Sequence, residues 1–121
     1  NFVFGGYLNQ DSREIIMNFD LLISPTREFE GFGLSIAESL SVGVPVISTK
    51  VGGVLDYLNK KNSILVEPKN PKALAYSLDL FLQNRVKYKN KALAGKKIIQ
   101  KYYSADVMAK KYINHFKKIN N

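Results

Sequence analysis

The chain has 121 residues, of which 45% are hydrophobic, 12% aromatic and 23% charged, and its formal net charge is +8. These values are typical of a globular protein and allow one domain with its own core, residues 1–121. The absence of cysteine excludes a disulfide framework and a thiolate metal site, and a single histidine, His115, argues against a multi-histidine site. We therefore expect a single domain that requires neither a metal ion nor a cofactor.

The chain lacks an apolar run of the roughly 18 residues that span a bilayer, and its first residues lack the charged start of a signal peptide. The sequence thus predicts a cytoplasmic protein. It begins with Asn1 rather than Met, which leads us to expect a piece of a longer protein.

The positive charge is concentrated in one half of the sequence. Residues 1–60 contain four Lys/Arg and seven Asp/Glu, a balance of −3, whereas residues 61–121 contain fourteen and three, a balance of +11. The lysines of the second half alternate with apolar residues at helical spacing, which favours solvated helix faces. Peripheral attraction to an anionic membrane is the alternative, and nucleic acid is not expected as a partner.

Apolar runs alternate with helical stretches along the chain, a pattern that predicts a parallel sheet flanked by helices. The fold class is α/β, with a partial Rossmann-like sheet of about four strands. The predicted strands are 2–4, 21–24, 44–48 and 63–66. The predicted helices are 11–19, opened by an Asp-x-x-Glu capping box, 33–42, a short turn at 55–57, and a helical C-terminal region over about 71–121 with helices from Pro71, at 86–101 and at 104–119.

The residues with recognisable chemistry lie between Ser24 and Gly53. In open parallel sheets, ligands bind beyond the carboxyl ends of the strands, and this segment follows the strand at 21–24. Gly31 and Gly33 remove side chains where the backbone enters a helix, so that the first free amides can approach an anion such as a diphosphate. Glu30 would repel a phosphate, but its carboxylate can accept hydrogen bonds from the hydroxyls of an uncharged sugar.

Glu38 lies two turns further along the same helix. At about 100° per residue, its side chain is expected at the flank of the apolar stripe of Ile36, Ala37 and Leu40, on the side nearer Leu34. A second pair of vicinal hydroxyls, such as those of a ribose, would suit this carboxylate.

These residues resemble the retaining glycosyltransferases of the two-domain, double-Rossmann GT-B type whose donor site carries a Glu-x7-Glu motif. The likeness extends beyond the two carboxylates and continues more weakly from Phe4 to Tyr103-Ser104. It rests on Ser24-Pro25, Glu30-Gly31-Phe32-Gly33-Leu34, Glu38, Gly43-Val44-Pro45-Val46 and Val51-Gly52-Gly53. The resemblance is to the C-terminal, donor-binding domain of that family.

The resemblance implies a function and a role for each matching residue. Glu30 would contact the hydroxyls of the transferred sugar, and Glu38 would bind the ribose of the nucleotide. The residues that offer amides to sugar and diphosphate would be Gly31, Phe32, Gly33 and Leu34. The implied reaction is transfer of a hexosyl group from a nucleotide diphosphate sugar to a glycan or lipid-linked acceptor, with retention at the anomeric carbon.

The resemblance also implies that parts of the family's machinery lie outside this sequence. The predicted strands match the third to sixth strands of an order resembling 3-2-1-4-5-6, without the central two. The family's acceptor domain and its upstream Arg and Lys are likewise not matched. A strand at 2–4 without its neighbours must pair elsewhere or with another copy, so we expect self-association and, for the isolated chain, little catalysis.

Simpler interpretations of the same residues remain open. Glu30 can be a loop carboxylate at a helix start, Glu38 a solvated helix residue, and Gly52-Gly53 a turn. Arg27 and Lys50 are interpreted as exposed loop cations rather than diphosphate ligands. Asp56 stands where the family often has Glu, and no role is assigned to it or to His115. The alternative functions are a non-catalytic nucleotide-sugar-binding module and part of a sugar-nucleotide epimerase of related fold.

Overall fold

The computed structural model of the protein describes residues 1–7 and 9–119. Its elements alternate between strands and helices up to the third strand and are helical from there on. In chain order they are α1 (Ser12–Ile16), β1 (Leu22–Ser24), α2 (Leu34–Ser41), β2 (Val46–Thr49), a 3-10 helix (Gly52–Asp56), β3 (Ile64–Val66), α3 (Pro71–Gln83), α4 (Arg85–Tyr102) and α5 (Ala105–Ile119).

The three strands found within the described ranges form one parallel sheet in the order β1-β2-β3. Ile47, at the centre of the sheet, is paired with Ile23 on one side and Ile64 on the other. The β2 strand is buried along its whole length, as expected for the middle strand of a sheet covered on both faces. The predicted α/β class and the parallel sheet flanked by helices are confirmed.

The predicted strand at residues 2–4 is wrong. Phe2, Val3 and Phe4 have no regular secondary structure, and their side chains are almost fully exposed, at 101%, 88% and 99%. A strand is stabilised by its ladder of hydrogen bonds and by burial of at least one face, and this segment has neither. The sheet therefore has three strands rather than about four.

Helix α1 is shorter than the predicted 11–19. Asp11 caps it, since its carboxylate accepts a hydrogen bond from the Arg13 amide at 2.9 Å and also pairs with the Arg13 guanidinium. The helix ends at Ile16, the one buried residue of this element, and tight turns follow, in which the amides of Asn18 and Phe19 donate to the carbonyls three residues earlier at 3.1 and 2.8 Å.

Helix α2 agrees closely with the predicted 33–42 and ends in a Schellman motif. The amide of Gly43 donates to the Leu40 carbonyl at 3.0 Å and that of Val44 to the Ser39 carbonyl at 2.9 Å. Gly43 has the left-handed conformation that this motif requires, at φ 83°. The amide of Leu22 then donates to the carbonyl of Pro45, which brings β2 beside β1.

The core lies between α2, the sheet and α4. Gly95 of α4 lets the two helices approach closely, since an added Cβ would stand 2.7 Å from Cδ2 of Leu40. Asn70 and Asn84 cap α3 and α4 by accepting amide hydrogen bonds at 3.0 Å. The residues of the main cluster are Ile36, Ala37, Leu40, Val46, Val54, Tyr57, Leu58, Ala92 and Ile99.

The last helix does not contribute to that core. No residue of α5 is buried, although the predicted apolar stripe of Val107, Met108, Tyr112, Phe116 and Ile119 falls within it. The stripe predicted for α3 is only partly covered, with Phe81 buried and Leu82 51% exposed.

Candidate functional site

The β1–α2 loop, residues 25–33, leaves the carboxyl end of β1 and leads into the first turn of α2. This is the edge of a parallel sheet at which ligands are expected to bind. The Thr49 hydroxyl at the end of β2 donates to the Thr26 carbonyl at 2.7 Å and so ties the start of the loop to the neighbouring strand.

The backbone of Gly52-Gly53 lies directly against the backbone of this loop. The Gly53 amide donates to the Glu30 carbonyl at 2.9 Å. A Cβ on Gly52 would stand 2.0 Å from the carbonyl oxygen of Glu30, and one on Gly53 would stand 2.0 Å from that of Gly31. Because backbone atoms occupy this space, only glycine fits at both positions. The pair therefore holds Glu30 and Gly31 in place, which is more than the turn expected from the sequence.

Gly33 precedes α2 in the left-handed conformation, at φ 74°, and is buried. An added Cβ would meet Ile36, Val54 and the Tyr57 hydroxyl at 3.0 to 3.2 Å. The helix has no side-chain cap at its N-terminus and no acidic residue in its first turn. Its first amides are thus not used by a capping side chain, and an anion can accept hydrogen bonds from them.

The Tyr57 side chain stabilises the end of the β1–α2 loop by hydrogen bonding. Its hydroxyl lies 2.6 Å from the Phe32 carbonyl oxygen and 3.2 Å from that of Gly33, and it donates to this pair of acceptors. Burial, followed by the negative charge of Glu30, raises the pKa of Tyr57 above its ordinary value, so the phenol stays protonated. The Glu30 carboxylate is thereby near enough to affect a group inside the core.

Three aromatic rings pack beneath the loop. Phe32, Tyr57 and Tyr103 have ring centroids 5.2 to 5.7 Å apart in tilted arrangements. The hydroxyl of Tyr103, the C-cap residue of α4, also donates a hydrogen bond to the Asp56 carbonyl at 3.3 Å. The Phe32 side chain therefore anchors the loop to the core.

The predicted site residues fall into two groups in the structure. Glu30 and Glu38 are half-buried, whereas Gly31 and Leu34 are exposed. Glu38 lies on α2 within electrostatic reach of Arg13, whose guanidinium pKa it helps to raise, after the larger effect of Asp11. The loop glycines and Glu30 share one set of supporting contacts, while Glu38 belongs to the helix surface next to α1.

Of the two loop cations, Arg27 lines a groove of about 340 Å³ at the carboxyl ends of the strands, together with Lys69. Lys69 pairs with Glu28 at 3.2 Å, and Lys50 pairs with Glu67. Lys50 thus forms an ion pair at the protein surface, in line with its interpretation as an exposed loop cation.

Sequence reasoning did not identify the supporting residues Gly52, Gly53, Tyr57 and Tyr103. The double glycine was visible as part of the resemblance, but its spacing alone does not show what its backbone contacts. Tyr57 stands 24 residues after Gly33, and only the folded chain shows that its hydroxyl reaches that carbonyl. Across the described residues, no cluster of three or more His, Asp or Glu suits a metal ion, and no helix has the length and apolarity to cross a bilayer.

Similarity to known proteins decides the family. A family model described as glycosyl transferases group 1 matches residues 1–98. The chain belongs to this family. It is 32% identical over 120 residues to an uncharacterised glycosyltransferase of Methanocaldococcus jannaschii, covering 95% of this chain and 30% of that one. It is 32% identical over 84 residues to the putative teichuronic acid biosynthesis glycosyltransferase TuaC of Bacillus subtilis, covering 69% and 21%. The chain thus spans less than a third of the length of these group 1 relatives.

Solved structures give the same fold for this group 1 chain. A glycosyltransferase from Rickettsia africae superposes with a TM-score of 0.80 at 28% identity, over 84% of this chain and 28% of the other. Anabaena HepE in complex with UDP-glucose superposes with a TM-score of 0.85 at 20% identity, over 91% and 30%. The fold is therefore that of one part of the GT-B glycosyltransferases, within their C-terminal domain.

Proposed function

We propose that this chain is the donor-binding part of a glycosyltransferase that transfers a hexosyl group from a nucleotide diphosphate sugar to a glycan or lipid-linked acceptor, with retention. The observation that carries the proposal is that the N-terminus of α2 has no side-chain cap. The glycine-containing loop that leads into it is held in place by contacts with Gly52, Gly53 and Tyr57. Membership of the group 1 family supports it, as does the fold shared with a protein whose structure contains UDP-glucose.

In this proposal, two kinds of protein group bind different parts of the donor. Backbone amides from Gly31 to Leu34 face the diphosphate, where the positive end of α2 stabilises negative charge. The Glu30 carboxylate accepts hydrogen bonds from hydroxyls of the transferred sugar, and Glu38 accepts them from the ribose.

Catalysis in this scheme is mainly electrostatic. As the bond between the sugar and the diphosphate breaks, charge develops on the leaving phosphate, and fixed amides stabilise that charge without reorganisation. Glu30 orients the sugar, and the leaving phosphate accepts the acceptor's proton on the same face, which gives retention without a protein nucleophile. No metal enters this scheme.

The biological setting follows from the relatives by analogy. TuaC is described as acting in teichuronic acid biosynthesis and the Escherichia coli relative WclY, 29% identical over 110 residues, in O-antigen biosynthesis. On that basis we place this chain in polysaccharide biosynthesis. Because its residues resemble the donor-binding domain of the family, we expect other residues to recognise the acceptor.

Calorimetric titration with UDP and with UDP-glucose tests the donor site. Glu30→Gln should weaken UDP-glucose by about tenfold or more and leave UDP unchanged, because the lost hydrogen bonds go to the sugar. Glu38→Gln should weaken both ligands alike, because both contain the ribose. Glu28→Gln is the matched control, since this carboxylate is exposed and paired with Lys69.

Two outcomes would contradict the assignment. If Glu30→Gln and Glu38→Gln behave like Glu28→Gln, the two carboxylates do not bind the donor. If neither nucleotide nor nucleotide sugar of any base binds to the unaltered chain, the amides of α2 are not a diphosphate site.

Two other functions use the same donor site and differ in chemistry. A non-catalytic module would bind nucleotide sugar without consuming it, and an epimerase would release a sugar of inverted configuration. Product analysis by chromatography, on a polypeptide in which this chain is joined to an acceptor-binding domain, separates both from transfer. A transferase releases nucleoside diphosphate only as the acceptor gains a sugar.

A further inference from the structure

Three successive carbonyl groups of the β1–α2 loop point toward the segment that follows β2. The Glu30 carbonyl accepts a hydrogen bond from the Gly53 amide at 2.9 Å, and the Phe32 carbonyl accepts one from the Tyr57 hydroxyl at 2.6 Å. Between them, the Gly31 carbonyl oxygen lies so close to the Gly53 backbone that a Cβ there would stand 2.0 Å from it. The three carbonyls are therefore held from the same side of the loop.

The direction of a carbonyl also sets the direction of the amide that follows it. In a trans peptide, the carbonyl of one residue and the amide of the next lie in one plane and point in opposite directions. The peptides of this loop are trans. The amides of Gly31, Phe32 and Gly33 are thus turned away from the supporting segment. In the part of the chain that the structure describes, none of these three amides donates to a backbone carbonyl.

The next amide, that of Leu34, is oriented by the helix itself. The Gly33 carbonyl accepts the first hydrogen bond of α2, from the Ala37 amide at 3.0 Å, and this bond fixes the peptide between Gly33 and Leu34. The Tyr57 hydroxyl is a second and longer contact of that carbonyl, at 3.2 Å. Among the described residues, the Phe32 carbonyl accepts from Tyr57 alone. The Gly33 amide is therefore the one whose direction depends on a side chain.

We propose that Tyr57 is a positioning residue for the diphosphate of the donor, because its hydroxyl holds the Phe32 carbonyl and so directs the Gly33 amide at a phosphate oxygen. The inference rests on the donor site proposed above and adds to it a residue that touches no part of the donor. The support of the site is divided in two. Gly53 holds the peptide next to Glu30, on the sugar side, and Tyr57 holds the peptide on the diphosphate side.

The surroundings of Tyr57 suit this role. The side chain is 2% exposed, and its ring packs against those of Phe32 and Tyr103, with centroids 5.2 and 5.5 Å away, so the hydroxyl has little freedom to move. Burial, followed by the negative charge of Glu30, raises the pKa of Tyr57, and the hydroxyl keeps the proton that it donates. Each contact joins two residues of this sequence and does not depend on what lies against the surface of the chain.

Nuclear magnetic resonance of the ligand-free chain tests the link between the hydroxyl and the peptide. Tyr57→Phe should shift the carbonyl carbon resonance of Phe32 and leave that of Glu30 in place, because the Glu30 carbonyl has a different donor. Tyr103→Phe is the matched control, since it removes a hydroxyl from the same aromatic cluster that donates outside the loop. An unmoved Phe32 resonance in Tyr57→Phe would overturn the proposal.

Calorimetric titration with UDP and UDP-glucose tests the effect on the donor. Tyr57→Phe should weaken both ligands by the same factor, about tenfold, because both contain the diphosphate that the Gly33 amide binds. The ratio of the two affinities should stay that of the unaltered chain, since the support of Glu30 is intact. A general loosening of the loop would disturb Glu30 as well and change this ratio.

A second control separates positioning from stability. Phe81→Leu alters a buried residue of α3 that packs against Tyr88, with ring centroids 6.1 Å apart, rather than against the loop. It should lower the thermal stability about as much as Tyr57→Phe does and leave both affinities unchanged. An equal loss of affinity in Phe81→Leu would mean that stability, and not the direction of one amide, determines binding.

The remaining outcomes distinguish this proposal from the donor site on which it rests. If the unaltered chain binds both ligands and Tyr57→Phe binds them equally well, the donor site stands and the role of Tyr57 is wrong. If Tyr57→Phe weakens UDP-glucose more than UDP, the hydroxyl supports the sugar side and the proposal is also wrong. If the unaltered chain binds neither ligand, the donor site is contradicted, and the positioning role with it.

Discussion

The Gly53 backbone rests on the Gly31 carbonyl oxygen, so closely that a Cβ on Gly53 would stand 2.0 Å from it. Two glycines that are far apart in sequence therefore set the shape of one loop. The contact involves no side chain, and Gly53 is held there by the 3-10 helix that follows β2.

Gly53→Ala should destabilise the protein by about 2 kcal/mol or more, because the obstructing atom is backbone and cannot rotate away. Urea unfolding followed by circular dichroism measures the change. Gly31→Ala is the control, since its Cβ would meet nothing within 4 Å and should alter stability by less than about 0.5 kcal/mol. Equal effects of the two substitutions would show that this close approach does not constrain the fold.

Tyr57→Phe should cost about 1–2 kcal/mol, because it leaves the partly buried Phe32 carbonyl without its donor, whereas the Gly33 carbonyl keeps its bond from the Ala37 amide. Tyr103→Phe removes a hydroxyl from the same aromatic cluster, but its bond at 3.3 Å is exposed, so the loss should be below about 0.5 kcal/mol. Thermal unfolding of both variants measures the difference. A larger effect at Tyr103 would place the main support of the loop elsewhere.

The raised pKa of Tyr57 predicts a loss of stability at high pH. The phenol ionises at about pH 10 when the chain is unfolded but only at higher pH in the folded protein. Its contribution is therefore fully present below about pH 10 and is lost as the pH rises toward the folded-state pKa. The free energy of unfolding of the unaltered chain should fall more steeply above pH 10 than that of Tyr57→Phe. Parallel curves would contradict this prediction.

The contact of Gly95 with Leu40 predicts a change of sign in a double-mutant cycle. Alone, Gly95→Ala should destabilise the protein, because Leu40 is fully buried and its Cδ2 would lie 2.7 Å from the new methyl group. In a Leu40→Ala background the obstruction is gone, and the same substitution should stabilise by about 0.5–1 kcal/mol through helix propensity. Additive effects in urea unfolding would rule out this coupling.

Elements that are stabilised by contacts between residues close in sequence were predictable. Pro71 at the first position of α3 and Gly43 after α2 each act through nearby backbone, so pattern and propensity suffice. The segment 2–4 failed for the opposite reason. Its apolar residues allow a strand, but pairing depends on a neighbour that no local pattern can supply.

The position of the loop before α2 was predictable from the sequence, but the contacts that stabilise this loop were not. Glycines and carboxylates at a strand-to-helix junction indicate a ligand site wherever they occur. The contacts of Gly52, Gly53 and Tyr57 with that loop span more than 20 residues and depend on how the sheet is assembled. The amphipathic pattern of α5 was also visible, but a pattern cannot show whether its apolar side is covered.

The supports of the β1–α2 loop have a consequence for affinity. The hydrogen bonds from the Gly53 amide, the Tyr57 hydroxyl and the Thr49 hydroxyl to this loop all come from within the chain. The entropy of ordering the loop is therefore lost during folding rather than during association. A ligand that accepts hydrogen bonds from the amides of α2 meets a preorganised surface, and its affinity depends on its own contacts and desolvation alone.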